Sequence, residues 1–167
     1  MNIRRAALTD IPAIMSIVKE VVPLMRASGN LQWDDKYPNP EIFVADISLN
    51  QLWVAGIDGL VVGVSAITTE QYPEYEQVGF DINDPAIVTH RLVVSPQHRG
   101  QGIAEALLME AEYEAGRRGV PLLRIDTNFE NKAAQKLFIK LGYILAGEIT
   151  LAFRPGMRFV CLEKQLA

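Results

Sequence analysis

The chain has 167 residues, of which 49% are hydrophobic and 22% charged, and this length and composition predict one folded domain over residues 1–167. Its formal net charge is −4, and no Lys/Arg cluster lies on one helix face or in a tail, so we expect no nucleic-acid partner. A lone cysteine excludes an intramolecular disulfide, and the Met1 to Thr9 segment lacks the apolar core of a signal peptide. No apolar stretch is long enough to cross a membrane. Together these features predict a cytoplasmic protein without a membrane span.

The N-terminal part of the chain predicts a short strand followed by two helices. The strand contains Ile3, and apolar residues with helical spacing then run from Ile11 to Met25. We expect Pro23 to kink or end this first helix, because proline lacks the backbone N–H that a helix interior requires. Asn39 followed by Pro40 has the form of a helix cap and a first-turn proline, and predicts a second helix to about Ile47.

The middle of the chain predicts a β-hairpin and a long polar connection. Residues 52–57 and 60–68 are apolar, β-branched runs separated by Asp58-Gly59, the dipeptide of a tight hairpin turn. Residues 69–85 carry five acidic residues and no Lys or Arg. Such a long connection is either functional or an ordinary solvated loop, and the sequence leaves both interpretations open.

The C-terminal half alternates strands with amphipathic helices and ends in two strands. Its predicted elements are a strand over 86–94, a helix whose apolar face runs from Ile103 to Ala115, a strand over 122–126, a helix closed by Gly142, and strands over 143–153 and 158–164 around Pro155-Gly156.

A glycine-bearing turn between the strand over 86–94 and the next helix has the pattern of an anion site. Glycines let the backbone approach a ligand, and the free N–H groups and dipole at a helix N-terminus favour a phosphate group. Arg99 adds a cation. A dinucleotide fingerprint is disfavoured because Glu105 replaces its last small residue, and no P-loop sequence is present.

This segment resembles the coenzyme signature of the GNAT acetyltransferase superfamily, R/Q-x-x-G-x-G/A after a strand, through Arg99, Gly102 and Ala104. The resemblance covers nearly the whole chain in the order of its elements. It implies an α/β (α+β) fold: a mixed central sheet of about seven strands with helices on both faces and a splay between strands 4 and 5. It also implies acetyl transfer from acetyl-CoA to a small-molecule or peptide amine, and leaves room for a homodimer.

The same resemblance implies which residues contact the coenzyme. The backbone of the signature strand would bond the pantetheine arm, the glycine turn would hold the pyrophosphate, and Asn131 fits a coenzyme-contacting asparagine that can also cap its helix. The implied contacts are Leu92, Val93 and Val94 in the strand, and Arg99, Gly100, Gln101, Gly102, Ile103, Ala104 and Glu105 in the turn and helix.

Phe138 departs from the family pattern, which often has a tyrosine there that is thought to protonate the departing thiolate. Phenylalanine cannot donate a proton, so we predict that Phe138 packs in the core. Water or another hydroxyl could act instead. Tyr75, Tyr113 and Tyr143 are the candidate substitutes, and the sequence does not choose among them.

The acceptor amine must lose a proton before it attacks a thioester, so a base or a water chain is required. Asp126 is the first candidate, because it is predicted to end a strand at a position where some family members have a carboxylate base; capping a turn is its alternative role. His90 is the second candidate, because its predicted strand parity matches that of Leu92 and Val94, although a lone strand histidine is more often structural. Two histidines, one cysteine and no H-E-x-x-H sequence predict no metal site.

Trp33 and Tyr37 lie in the region that borders the acceptor in this family, and the acidic connection could attract a cation. A polyamine, an aminoglycoside and a peptide amine all fit, and both aromatic residues could instead be packing anchors. The main alternative function is a catalytically silent acyl-CoA-binding regulatory module, which Phe138 favours. A nicotinamide oxidoreductase is a third option.

Overall fold

The computed structural model describes residues 1–167 and contains seven strands and four α-helices, joined in places by short 3-10 turns. In chain order the elements are β1 (Asn2–Arg5), α1 (Ile11–Ala27), α2 (Pro40–Ser48), β2 (Leu52–Ile57), β3 (Leu60–Thr68), β4 (Ile87–Val94), α3 (Ile103–Arg118), β5 (Leu122–Asn128), α4 (Lys132–Lys140), β6 (Ile144–Ile149) and β7 (Phe159–Gln165).

The strands form one mixed sheet in the order β1-β2-β3-β4-β5-β7-β6. β5 and β6 pair with β7 in antiparallel fashion, as do β1 and β3 with β2. β4 and β5 are parallel, and their pairing is limited to Ile87 with Leu123 and Val88 with Arg124. The two strands therefore splay beyond this point, and the predicted fold class is confirmed.

The chain divides into two compact units. The first unit contains Met1–Ile67 and Thr89–Glu110, and the second contains Thr68–Val88 and Ala111–Ala167. In the first unit, the apolar stripe of α1 packs against α2, β2 and β3, with Ile14, Phe43 and Val64 fully buried. Burial of this stripe explains why the segment is helical, since tertiary packing contributes most of the stability of such a helix.

The second unit has its own apolar cluster. Tyr75, Val88, Phe159 and Cys161 are all fully buried in it. Tyr75 comes from the 3-10 turn Pro73–Val78, within the polar connection between β3 and β4. The connection is therefore neither a plain solvated loop nor unstructured, because it contributes a large aromatic side chain to the core.

Of the two effects predicted for Pro23, a kink or the end of the helix, the second does not occur, because α1 continues to Ala27 with Val21 and Val22 buried in the core. Two other sequence predictions need correction. The strand after α4 ends at Ile149 rather than at Phe153. Asp126 does not end β5, because pairing with β7 continues to Asn128.

The predicted helix cap and the predicted hairpin turn are both confirmed. The side chain of Asn39 caps α2 by accepting a hydrogen bond from the N–H of Ile42 at 2.9 Å. Ile57 pairs with Leu60 across the predicted two-residue turn. None of the helices combines the length and the apolar character that crossing a membrane requires.

Candidate functional site

The turn between β4 and α3 contains two glycines in a conformation that other residues adopt only with strain. Gly100 and Gly102 have φ angles of 77° and 76°, in the left-handed region. A Cβ placed on either glycine would meet no atom within 4 Å, so both face open space. Arg99 and Gln101 are exposed beside them. The turn therefore offers accessible backbone and one cation to a ligand.

The first turn of α3 supplies backbone N–H groups to the same region. The first helical hydrogen bond runs from the N–H of Ala106 to the carbonyl of Gly102, at 3.0 Å. The N–H groups of Ile103 and Ala104 precede it, and the first turn of a helix supplies no carbonyl acceptor for them. Together with the dipole of this 16-residue helix, they favour a bound anion such as a pyrophosphate.

Gly63 of β3 allows the beginning of α3 to lie close to the sheet. A Cβ at this position would be 2.7 Å from Cγ2 of Ile103 and 3.2 Å from Cδ1 of Leu107. It would also lie 3.4 Å from the carbonyl oxygen of Val93. Gly63 therefore sets the depth at which α3 is seated. No local sequence pattern indicates this role, because the contacts of Gly63 come from distant parts of the chain.

The end of β4 carries the three residues expected to bond the pantetheine arm. Val93 is buried, whereas Leu92 and Val94 are half-buried. Arg91 has a φ of 52°, in the left-handed region, and it interrupts the alternation of side chains along β4. The parity argument that linked His90 to Leu92 and Val94 therefore does not hold across Arg91. His90 itself is buried.

Arg91 forms a buried ion pair with Asp46 of α2. Its Nε donates to Oδ2 and its Nη2 to Oδ1, both at 2.7 Å. Only 6% of the Arg91 side chain and 3% of the Asp46 side chain are exposed. Burial acts to lower the pKa of Arg91, but the hydrogen bonds and charge of Asp46 outweigh it and raise that pKa above its ordinary value. The pair fixes α2 to β4 at the residue with the left-handed backbone conformation, and no local sequence pattern indicates it.

The two aromatic residues proposed for the acceptor region have different surroundings. Trp33 is buried in the core of the first unit with α1 and α2. Tyr37 is half-buried against the same core, and its hydroxyl accepts a hydrogen bond from Nη1 of Arg91 at 3.4 Å. Tyr37 therefore provides a hydroxyl group at the edge of the core, whereas Trp33 acts as a packing anchor.

Asp126, the candidate base, is hydrogen-bonded to a tyrosine of the connection between β3 and β4. The hydroxyl of Tyr75 donates to Oδ2 of Asp126 at 2.5 Å. Tyr75 has no exposed surface. Its burial, followed by the charge of Asp126 and the hydrogen bond, raises the pKa of Tyr75 well above its ordinary value. Tyr75 is therefore a neutral hydrogen-bond donor at any working pH and a poor proton source.

Asn131 and Phe138 both lie on or beside α4. The side-chain oxygen of Asn131 caps this helix by accepting from the N–H of Ala134, and its amide donates to Oγ1 of Thr127, both at 3.2 Å. Phe138 is 2% exposed and packs against Tyr143, with ring centroids 5.9 Å apart. The predicted core role of Phe138 is confirmed.

Cys161 is fully buried on β7. Burial, and to a lesser degree the charge of Asp126, raises the pKa of its thiol well above the ordinary value, so the sulfur is not a thiolate nucleophile. No cluster of three or more His, Cys, Asp or Glu side chains is arranged to hold a metal ion.

Comparison with known proteins decides the family. The model of the acetyltransferase (GNAT) domain matches residues 48–145, which is more than half of the chain. The chain belongs to the GNAT family. This GNAT chain is an acetyltransferase, and the acetyl donor of its family is acetyl-CoA.

Individual relatives agree with this result. An uncharacterized N-acetyltransferase of Bacillus subtilis, YhfO, is 25% identical over 143 residues, which cover 86% of the GNAT chain and 89% of the relative. A GNAT-family acetyltransferase of Streptococcus agalactiae has a crystal structure with a TM-score of 0.84 and 27% identity, covering 99% of this chain and 95% of that chain. The yncA protein of Salmonella typhimurium, a structure with acetyl-CoA, shares the fold with a TM-score of 0.73 at 22% identity, covering 100% and 94% of the two chains.

Proposed function

We propose that this GNAT enzyme transfers the acetyl group of acetyl-CoA to a primary amine of a small molecule or peptide, by direct attack of the amine on the thioester. The observation that carries the proposal is the open glycine turn at the start of α3, within the segment that the family model matches. Its two left-handed glycines and its exposed arginine have the chemistry of a diphosphate site.

The residues around this turn fit the coenzyme. N–H groups from Gly100 to Glu105 and the guanidinium of Arg99 would bind its pyrophosphate, and the backbone from Leu92 to Val94 would bind its pantetheine arm as an added strand. Asn131 would contribute an amide contact. When bound, the coenzyme supplies a thioester, which is the electrophile of the reaction. A backbone N–H near Val94 would polarise the thioester oxygen.

The acceptor needs a group that removes its proton, and Asp126 is the residue we assign to this step. A carboxylate that accepts a hydrogen bond from a neutral phenol is held in one orientation, as a general base requires. The new N–C bond forms while the C–S bond breaks, and the amine proton passes to Asp126. His90 is the alternative base.

The departing thiolate takes its proton from water rather than from the position of Phe138. A thiol with a pKa of about 8.5 is a moderately good leaving group, so a protein acid is not essential. Tyr75 keeps its proton for the reason given above, and burial likewise raises the pKa of Tyr143, so that it also keeps its proton. Tyr37, which carries a hydroxyl at the edge of the core, is the residue we assign to acceptor binding, with Trp33 packing behind it.

The first experiment is thermal unfolding with and without acetyl-CoA, CoA and NAD, because a ligand that binds only the folded protein raises the midpoint. We expect acetyl-CoA and CoA to raise it and NAD to leave it unchanged. Absence of a response to saturating acetyl-CoA would overturn the proposal. Thiol release is then measured with spermidine, kanamycin and a short peptide that has a free α-amine. Binding of acetyl-CoA without thiol release from any of them would favour the silent acyl-CoA-binding module.

The glycine turn is tested by Gly102→Glu, which introduces bulk and negative charge where the pyrophosphate would bind. We expect the variant to fold and to lose the acetyl-CoA-dependent rise in midpoint. Gly59→Glu is the matched control, because Gly59 also has a left-handed φ, 79°, and open space around it. The control should respond to acetyl-CoA like the unmodified protein, and an unchanged acetyl-CoA affinity in Gly102→Glu would refute the assignment of the turn.

A further inference from the structure

The connection between β3 and β4 is folded back onto β5 within the second unit, and a buried arginine holds it there. Nη1 of Arg124 donates to Oε1 of Gln71 at 2.6 Å and to the carbonyl oxygen of Asp81 at 2.9 Å. Its guanidinium also lies 4.4 Å from the ring centroid of Phe80. The side chain of Arg124 is only 3% exposed. Residues on both sides of the 3-10 turn are therefore fixed to the same strand.

Tyr75 lies between these two anchor points and is held by aromatic contacts on each side. Its ring packs edge to face with Tyr72, at a centroid distance of 5.9 Å, and with Phe80, at 6.2 Å. These contacts leave its ring little freedom to move. Because Arg124 and Asp126 are two residues apart on β5, they lie on the same face of the strand. The connection that Arg124 anchors is thus the one that brings the Tyr75 hydroxyl to Asp126.

The hydroxyl of Tyr75 is not needed for packing. A phenylalanine would fill the same apolar space, and a buried hydroxyl costs free energy unless it has a partner. The partner that the structure provides is Oδ2 of Asp126, at 2.5 Å. The bond joins a fully buried donor to a carboxylate that is itself only half-buried. A hydrogen bond to a charged acceptor is among the stronger ones, and it fixes the acceptor in direction as well as in position.

We propose that Tyr75 is a positioning residue, whose hydroxyl holds the Asp126 carboxylate in the orientation from which it accepts the proton of the acceptor amine. The proposal rests on the proposed function, since it requires Asp126 to be the base. Tyr75 makes no bond to the substrate and keeps its own proton throughout. Its role is to limit the rotation of the carboxylate, so that little reorganisation is needed when the amine arrives.

The other ionisable groups near this pair do not take over its role. Tyr72 lies on the same connection, Cys161 is the partner of Asp126 on β7, and Arg124 is on β5 itself. Burial keeps the thiol of Cys161 protonated, as described above. Arg124 is engaged by Gln71, Asp81 and Glu163. Asp126 is therefore the group in this cluster whose protonation should govern the rate at low pH.

The test compares four variants by steady-state thiol release, with the amine from the panel above that gives the fastest turnover. Tyr75→Phe should lower kcat about tenfold, the size expected for one charge-assisted hydrogen bond, with an unchanged KM for acetyl-CoA. Asp126→Asn should lower kcat by about 10² to 10⁴, as for loss of a general base. The double variant should match Asp126→Asn, because Tyr75 acts through Asp126. Tyr72→Phe, which removes a hydroxyl from the same connection, is the control and should keep the kcat of the unmodified enzyme.

The pH profile provides a readout that a purely structural role would not change. A hydrogen bond to a carboxylate favours its charged form, so its loss in Tyr75→Phe should move the acid limb of kcat/KM to higher pH. Tyr72→Phe should leave the limb where it is. If Tyr75→Phe does not fold, Asp126→Glu keeps a carboxylate but displaces it by one methylene from the Tyr75 hydroxyl, and the same loss of kcat is expected from it.

The outcomes separate this inference from the proposed function. A low kcat in Asp126→Asn with a normal kcat in Tyr75→Phe would overturn the role of Tyr75 and leave the base assignment intact. A normal kcat in Asp126→Asn would overturn the base assignment and this inference with it. A further tenfold loss on adding Tyr75→Phe to Asp126→Asn, or an equal loss in Tyr72→Phe, would show that the hydroxyls act on the fold and would overturn the inference.

Discussion

Removing one partner of the buried ion pair in the first unit should strongly destabilise the protein. In Asp46→Ala, the guanidinium of Arg91 loses two hydrogen bonds of 2.7 Å and stays buried, with 6% of the side chain exposed. Nε2 of Gln51 also loses its acceptor, Oδ1 of Asp46. Breaking a buried pair from one side costs about 3 to 5 kcal/mol. At about 2 to 4 °C per kcal/mol for a chain of this size, the midpoint should fall by roughly 10 °C.

The assay is urea unfolding at constant pH, supported by thermal scans, with Glu148→Ala as the control. Glu148 pairs with Arg158, but the two side chains are 48% and 58% exposed, so this loss should be much smaller than the loss in Asp46→Ala. The double variant Asp46→Leu/Arg91→Met, which removes both charges, should recover most of the loss in Asp46→Ala. A loss of less than about 1 kcal/mol in Asp46→Ala, equal to that of an exposed pair, would refute the reasoning.

Two further predictions concern pH and helix seating. Hydrogen bonds from Arg117 outweigh burial, and with those from Arg118 they lower the pKa of Glu114 from 4.5 to about 2. Glu114 therefore stabilises the fold above pH 4.5, and this contribution, on the order of 2 kcal/mol, is lost as the pH falls from about 5 to 2. Urea unfolding of Glu114→Gln should lack this pH dependence. An equal loss of stability at low pH in the variant would contradict the assignment. Gly63→Ala should lower the midpoint of thermal unfolding and weaken acetyl-CoA binding measured by calorimetry, because the added Cβ would lie 2.7 Å from Cγ2 of Ile103 at the start of α3. Full stability with normal affinity would show that α3 can shift without consequence.

Local signals in the sequence predicted most elements correctly. Asn39 capped its helix and Asp58-Gly59 formed its turn because both depend on residues within three or four positions. Pro23 is a case in which the local signal left two outcomes open. Proline disfavours a helix interior, but the apolar stripe on both sides of Pro23 is buried in the core, and α1 continues through it to Ala27.

The mixed sheet and the splay between its fourth and fifth strands were predicted from the resemblance to the family and not from periodicity, because hydrophobic alternation indicates a strand without indicating its neighbours. The glycine turn that we propose as the coenzyme site was equally recognisable, since Arg99, Gly102 and Ala104 are close together in the sequence.

The contacts that the sequence could not reveal are those between distant residues. Tyr75 and Asp126 are 51 positions apart, and Arg91 and Asp46 are 45 apart. No local pattern distinguishes these residues from solvated ones. Tyr75 is the clearest case, because it lies in an acidic segment for which the sequence left a solvated loop open, and only the fold shows that it is buried.

The division of the chain into two units also divides its natural fluorophores. Both tryptophans, Trp33 and Trp53, belong to the first unit, whereas four of the five tyrosines, Tyr72, Tyr75, Tyr113 and Tyr143, belong to the second. Trp33 and Trp53 are 5% and 7% exposed, so their emission should shift to longer wavelength when their unit opens. Tryptophan emission therefore follows the unit that contains the glycine turn, and near-ultraviolet tyrosine signals are weighted towards the unit that contains Asp126. An unlabelled sample can thus reveal whether acetyl-CoA protects one unit or both.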